Sequence, residues 1–154
     1  MTLYFAYGAN MERAAMQRRC LSARALGPAA LDGYRFVITR DGYASLARAS
    51  GAVAHGVLWR LSPRDLAALN HFESLGSGLY RRGMLPVRLG PMRVKALVYL
   101  GRPGGPGKPR PGYIDTVIAA ARDWNLPADY VRALARWAPA AWRGRHPAET
   151  GAIA

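Results

Sequence analysis

The segment Gly101-Arg102-Pro103-Gly104-Gly105-Pro106-Gly107, which continues through Pro111-Gly112, does most to constrain what this chain can fold into. Proline brings no ladder N–H and fixes φ, while glycine holds no single conformation, so neither a helix nor a central strand can run through it. It separates a strand-rich first two thirds from a final third with helical spacing. It also predicts a long surface loop that could act as a mobile lid.

Upstream of that loop, Leu3-Tyr4-Phe5-Ala6-Tyr7 reads as a short buried strand broken by Gly8. Asn10 is placed to cap a helix from about Met11 towards Arg19. Tyr34-Arg35-Phe36-Val37-Ile38, within Pro28 to Thr39, predicts a second strand, and Ser45–Ala49 and Val53–Leu61 predict two more. In Ser62-Pro63-Arg64-Asp65 the serine can cap, the proline suits the first helical position, and Asp65 can complete a capping box. That helix should reach Phe72 or Glu73. Tyr80–Leu89 and Arg93–Leu100 read as strands joined at Gly90-Pro91.

Downstream, Ile114, Val117, Ile118 and Ala121 have helical spacing, as do Tyr130, Val131, Leu134 and Trp137, with Leu126-Pro127 between the two sets. The expectation is one α+β domain over residues 1–138, with 139–154 as a loosely held C-terminal tail that could dock through Trp142. A chain of 154 residues that is 51% hydrophobic can bury a real core. No run approaches the roughly 18–20 apolar residues that span a bilayer. The start lacks the charged and apolar regions of a signal peptide. Cys20 is the single cysteine and His55, His71 and His146 are scattered, so neither a disulfide nor a metal site is expected. A reducing cytoplasm is the simplest location.

The net charge is +13, from 22 Lys+Arg against 9 Asp+Glu. All of the basic residues but Lys95 and Lys108 are arginine, and they are spread along the chain with no run of five. No zinc-finger or single-stranded RNA motif accompanies them, so nucleic acid is not the expected partner, although a basic nucleic-acid-binding domain is one alternative.

Three places could carry chemistry. Glu73 lies seven residues after Leu66 and four after Leu69, hence on the same, core-facing side of a helix. Burial and the negative end of the helix dipole would both raise its pKa and suit it to proton transfer near neutral pH. Equally, the helix could end at Phe72 and leave Glu73 to cap it or to pair with Arg81 or Arg82. Tyr7-Gly8-Ala9-Asn10 turns a strand into a helix and presents N–H groups that suit a carboxylate, though an ordinary tight turn would look the same. Gly76-Ser77-Gly78-Leu79-Tyr80 permits close backbone approach beside the Tyr80 hydroxyl, which could equally belong to a half-buried tyrosine on a sheet. Tyr113 follows the Pro/Gly loop as a lid or core residue. Ser77 has no histidine or lysine beside it to activate a nucleophile, and Cys20 reads as a small buried apolar residue.

Taken together, four segments resemble the γ-glutamylcyclotransferase family, including its γ-glutamylamine cyclotransferase-like branch. They are Tyr4–Met11, Gly56-Val57-Leu58-Trp59, Glu73–Tyr80, and Pro111-Gly112-Tyr113 leading into Asn125–Tyr130, in the family's order from about Thr2 to Leu134. The resemblance implies an α+β fold around a small, strongly curved mixed β-barrel with flanking helices. It implies release of 5-oxoproline from a γ-glutamyl amino acid, amine or peptide by intramolecular cyclisation, with no metal or organic cofactor. It places the catalytic glutamate at Glu73 and the substrate loop at Tyr7, Gly8, Ala9 and Asn10, with Tyr80 and Tyr113 lining the pocket. Many members carry serine where this chain has Ala9; if that position works through its main-chain N–H, alanine changes little. The implied partner is a small γ-glutamyl compound, with no membrane, for a monomer or homodimer. A non-catalytic γ-glutamyl- or anion-binding module of the same fold is the other alternative.

Overall fold

Tyr4, Phe5 and Ala6 are all fully buried, so the strand that carries them has both faces covered and must be central. In the computed structural model, which describes residues 1–72, 80–102 and 104–139, that strand is β1 (Thr2–Ala6). It pairs antiparallel with β3 (Ala44–Leu61), from Thr2 opposite Leu61 to Ala6 opposite Val57. On its other side it meets β5 (Met92–Gly101) in parallel, with Tyr4 opposite Leu97. The long β2 (Arg24–Ile38) forms a hairpin with β3, and β4 (Tyr80–Leu89) forms one with β5 through a turn at Gly90. The sheet closes into a barrel in the order β1-β3-β2-β4-β5. Helices α1 (Arg13–Arg19), α2 (Pro63–Phe72), α3 (Tyr113–Asp123) and α4 (Ala128–Ala135) flank it. This is the expected α+β architecture.

The seam between β2 and β4 is thin, with one bridge where Ala30 faces Arg88. Arg88 donates twice to the Asp32 carboxylate, both at 2.8 Å, and Arg93 lies 3.6 Å from it. The hydrogen bonds from Arg88 hold the Asp32 carboxyl below its ordinary pKa. On the N-terminal side of β4 and towards the end of β2, no ladder joins the two strands among the described residues.

Two local readings change. The strands expected at Ser45–Ala49 and Val53–Leu61 are one strand, β3. Pairing passes from Tyr34 opposite Arg48 to Asp32 opposite Val53, so only Gly33 stands across from four residues of β3. Gly33 and Gly51 take φ of 82° and 80°, which glycine alone adopts without strain, and a bulge forms where the sequence suggested a break. Asn10 does not cap a helix at Met11. A 3-10 turn at Ala9–Met11 comes first, and α1 starts at Arg13 behind Glu12.

The capping box at α2 forms as expected. The Asp65 N–H donates to Ser62 Oγ at 3.1 Å, and the Ser62 N–H donates to Asp65 Oδ2 at 3.0 Å. Asp65 is buried, and its other oxygen accepts the Ser22 N–H at 3.1 Å. The start of α2 is thereby tied to the loop ahead of β2.

Gly56 shows why the barrel closes so tightly at β1. A Cβ there would lie 2.2 Å from the Ala6 carbonyl oxygen and 2.9 Å from the Phe5 ring. Gly56→Ala should therefore cost about 3 kcal/mol or prevent folding, as overpacking a rigid backbone contact does. Gly83→Ala places its Cβ with nothing within 4 Å and should stay within about 0.5 kcal/mol of the parent. Urea denaturation of the two variants checks the contrast.

Candidate active site

β1 ends at Ala6, and Tyr7 carries the chain off the barrel rim with its side chain fully buried. The Tyr7 hydroxyl donates to the main-chain carbonyl of Tyr99 on β5. From Gly8 the chain makes its 3-10 turn, closed by the Met11 N–H on the Gly8 carbonyl and the Glu12 N–H on the Ala9 carbonyl, both at 3.1 Å. The amides that open such a turn have no acceptor within it and face outward from its start. Trp124, just past α3, donates its indole N–H to the Met11 carbonyl at 2.7 Å and holds the loop from behind.

Asn10 is fully buried. Its Nδ2 donates to the Tyr4 hydroxyl at 3.0 Å, and its Oδ1 accepts from the Arg19 guanidinium. Arg19 also lies over the Phe72 ring, 4.1 Å from its centroid. A second tie to α2 runs through Tyr99, whose hydroxyl donates to Asn70 Oδ1. The loop Tyr7–Asn10 and the end of α2 are thus held together by Arg19 on one side and Tyr99 on the other. Glu73 follows Phe72 directly and lies outside the described residues, as do Ser74 to Leu79.

Tyr80 and Tyr113 converge on the backbone of one residue, Ala44. The Tyr80 hydroxyl donates to the Ala44 carbonyl at 3.0 Å, and the Ala44 N–H donates to the Tyr113 hydroxyl at 3.2 Å. Both side chains are buried, so each has a structural contact. Tyr80 pairs with Gly101, two residues beyond Tyr99 on β5. A strand rises about 3.3 Å per residue, so the positions of Tyr99 and Gly101 are about 7 Å apart along β5.

The second half of the Pro/Gly loop is anchored. The Gly107 N–H donates to the Ile38 carbonyl at 2.8 Å, and the Arg110 N–H to the Gly42 carbonyl at 3.1 Å. A Cβ on Gly107 would lie 1.9 Å from the Thr39 carbonyl oxygen, so glycine is needed for that approach. This half straps the β2–β3 turn, and Arg102 and Gly104 to Pro106 border a cleft of about 700 Å3 at the open part of the β2–β4 seam. None of Tyr7–Asn10, Tyr80 or Tyr113 lines that cleft; Ser45 and Gly101, which do, are joined by a hydrogen bond from the Gly101 N–H to Ser45 Oγ at 2.8 Å.

Cys20 lies below the loop, buried, with its thiol on the Asp65 carbonyl. Burial pushes its pKa up to about 11, the Asp65 carboxylate adds to the rise, and Arg19 opposes it. It stays a thiol at neutral pH and is a poor nucleophile. Among the described residues no three of His, Cys, Asp and Glu gather as a metal ion would require, and no helix is long and apolar enough to cross a membrane.

Composition and periodicity did not point to Tyr99, Asn70 or Arg19. Asn70 alone left a signal, since it lies four residues after Leu66 on the face that packs inward. Tyr99 and Arg19 act across 92 and 9 residues of sequence and leave none.

The closed mixed barrel with flanking helices is the fold that the resemblance implies. Comparison with known proteins agrees. The sequence model described as "Gamma-glutamyl cyclotransferase, AIG2-like" matches residues 4–126, and the chain belongs to that family. Among solved structures it is similar to one described as a γ-glutamyl cyclotransferase, with a TM-score of 0.84 and 23% identity, covering 96% of this chain and 94% of the other. An uncharacterised protein from Homo sapiens, loc79017, gives 0.83 and 24% over the same shares. YkqA from Bacillus subtilis gives 0.74 and 26%, covering 88% of this chain and 53% of YkqA. No curated protein sequence matches significantly.

The bond from Tyr7 to Tyr99 is testable. Tyr7→Phe leaves a buried carbonyl without that donor and should lower stability by about 1–3 kcal/mol. A shift of the urea midpoint at unchanged slope would show it; an unchanged midpoint would mean the bond contributes nothing.

Proposed function

We propose that this protein releases 5-oxoproline from γ-glutamyl compounds, with Glu73 as both base and acid. One observation carries the reading: the loop Tyr7–Asn10 and the end of α2 are held together by Arg19 and Tyr99. By helical spacing, position 73 continues the stripe of Leu66 and Leu69, of which Leu69 is fully buried. A carboxyl group there has reason to be weakly acidic, and so able to take and return a proton near neutral pH.

In the reaction, Glu73 takes a proton from the substrate's α-ammonium group. The freed amine attacks the γ-carbonyl carbon, forming the new C–N bond of a five-membered ring. The C–N bond to the leaving amine then breaks as Glu73 returns the proton to that nitrogen, and the second proton of the attacking nitrogen passes to the released amine, which leaves as an ammonium ion while the ring keeps one N–H. No water, metal or redox partner enters the balance. The amides of Gly8 to Asn10 would hold the substrate's α-carboxylate, and Tyr80 and Tyr113 would wall the pocket through the Ala44 backbone they fix. Holding the chain folded for attack can supply about 7–11 kcal/mol of the barrier reduction. The net charge of +13 favours approach of an anionic substrate without selecting it.

Glu73→Gln keeps size and shape but loses the titrating group. It should fold as the parent does and lose about a hundredfold to ten-thousandfold in 5-oxoproline release from a panel of γ-glutamyl amino acids, amines and glutathione. Parent-level turnover in this variant would remove Glu73 from the mechanism. Binding of the panel by the unmutated protein without any 5-oxoproline would mark a binding module instead.

A further inference from the structure

Helix α4 meets the β2–β3 hairpin through two aromatic contacts, with a groove between them. The Phe36 and Trp137 rings meet edge to face at 6.5 Å, and the His55 and Tyr130 rings do so at 4.9 Å. The groove holds about 520 Å3, and Val53, Ala133 and Leu134 line it together with Phe36, Trp137 and Tyr130. Its wall is mostly apolar yet incompletely covered, since Val53, Tyr130, Ala133 and Trp137 each keep part of their surface open. The Tyr130 hydroxyl is buried and has no hydrogen-bond partner among the described residues. A buried hydroxyl without a partner costs free energy, so this face lacks both an apolar cover and a polar partner.

The cover nearest to hand is the chain's own C-terminal segment. Arg136, Trp137 and Ala138 close α4 with N–H bonds to the carbonyls three residues back, and Pro139 cannot extend the helix. The described residues end there, beside the groove that Trp137 helps to wall. Residues 140–154 follow, and their one large aromatic side chain is Trp142. From Pro139 to Trp142 the chain reaches up to about 10 Å. The middle of the groove, at Ala133 and Leu134, lies about 8 Å back from Pro139 at a helical rise of 1.5 Å per residue. A chain that turns back at Pro139 therefore brings Trp142 to it. An indole suits this lining: its ring is apolar, and Arg35 and Arg136, exposed beside the groove, carry cations that its face attracts. The segment's main-chain carbonyls are acceptors of the kind that Tyr130 lacks.

We infer that residues 140–154 fold back on the barrel and that Trp142 fills the groove between α4 and the β2–β3 hairpin. The domain then extends past Ala138 and includes its C-terminal segment. Neither Glu73 nor the loop Tyr7–Asn10 takes part.

Trypsin reads the docking, because Arg143 and Arg145 follow Trp142 and can be cut only when the segment leaves the groove. Under native conditions, cleavage there in the unmutated protein should be at least about tenfold slower than in a synthetic peptide of residues 138–154. Ala133→Gln alters the groove and leaves the segment's sequence alone; it should speed cleavage about fivefold. Trp142→Ala should do the same. Arg132→Gln, on the exposed side of α4, should leave the rate as it was. Cleavage of the unmutated protein at the peptide's rate overturns the inference, and so does an unchanged rate in Ala133→Gln or Trp142→Ala. An equal rise with Arg132→Gln overturns it as well, because a loosened helix would then be the cause. A dimer in sedimentation that Ala133→Gln converts to a monomer, with the cleavage rate unchanged, gives the groove to a second copy instead.

Discussion

Where β1 meets β5 the barrel has a single backbone bridge, Tyr4 opposite Leu97, and immediately past the end of β1 the Tyr7 hydroxyl takes the Tyr99 carbonyl. The rest of the site depends on this closure. It fixes where the chain leaves the sheet, and so where the turn at Gly8 begins. The same Tyr99 reaches Asn70 on α2 through its hydroxyl, so one residue of β5 ties both the loop Tyr7–Asn10 and the helix that ends at Phe72. Gly56 lets β3 come close enough for β1 to sit there at all.

The opposite side of the barrel is built in the other way. β2 and β4 share one bridge and an exposed Asp32–Arg88 pair, and then part. Exposed ion pairs contribute little to stability, so this seam is the weak side of the closed sheet. The gap becomes a cleft, with the strap from Gly107 to Arg110 fixing its upper edge to the β2–β3 turn.

Much of this was legible from sequence, and what was not has a physical cause. The capping box at Ser62–Asp65 and the breaker loop after Gly101 are local, and local chemistry is read directly from residue type. The break expected near residues 50–52 turned out to be a bulge, since Gly51 and Gly33 absorb the mismatch while the pairing resumes beyond it. Asn10 was read as a helix cap because asparagine before a helix usually is one. Tertiary contacts with Tyr4 and Arg19 took its side chain instead. Tyr99 and Ala44 hold Tyr7, Tyr80 and Tyr113 through main-chain groups, and no residue type announces a main-chain contact.

The central claim is that the substrate's own amine, and not water, attacks the γ-carbonyl carbon. It is tested most directly by turning over a γ-glutamyl amino acid in water enriched in the heavy oxygen isotope and weighing the products. Cyclisation keeps the original carbonyl oxygen and consumes no water, so the account predicts 5-oxoproline without the isotope and one equivalent of free amine. Glutamate carrying one solvent oxygen would contradict it and make the protein a hydrolase.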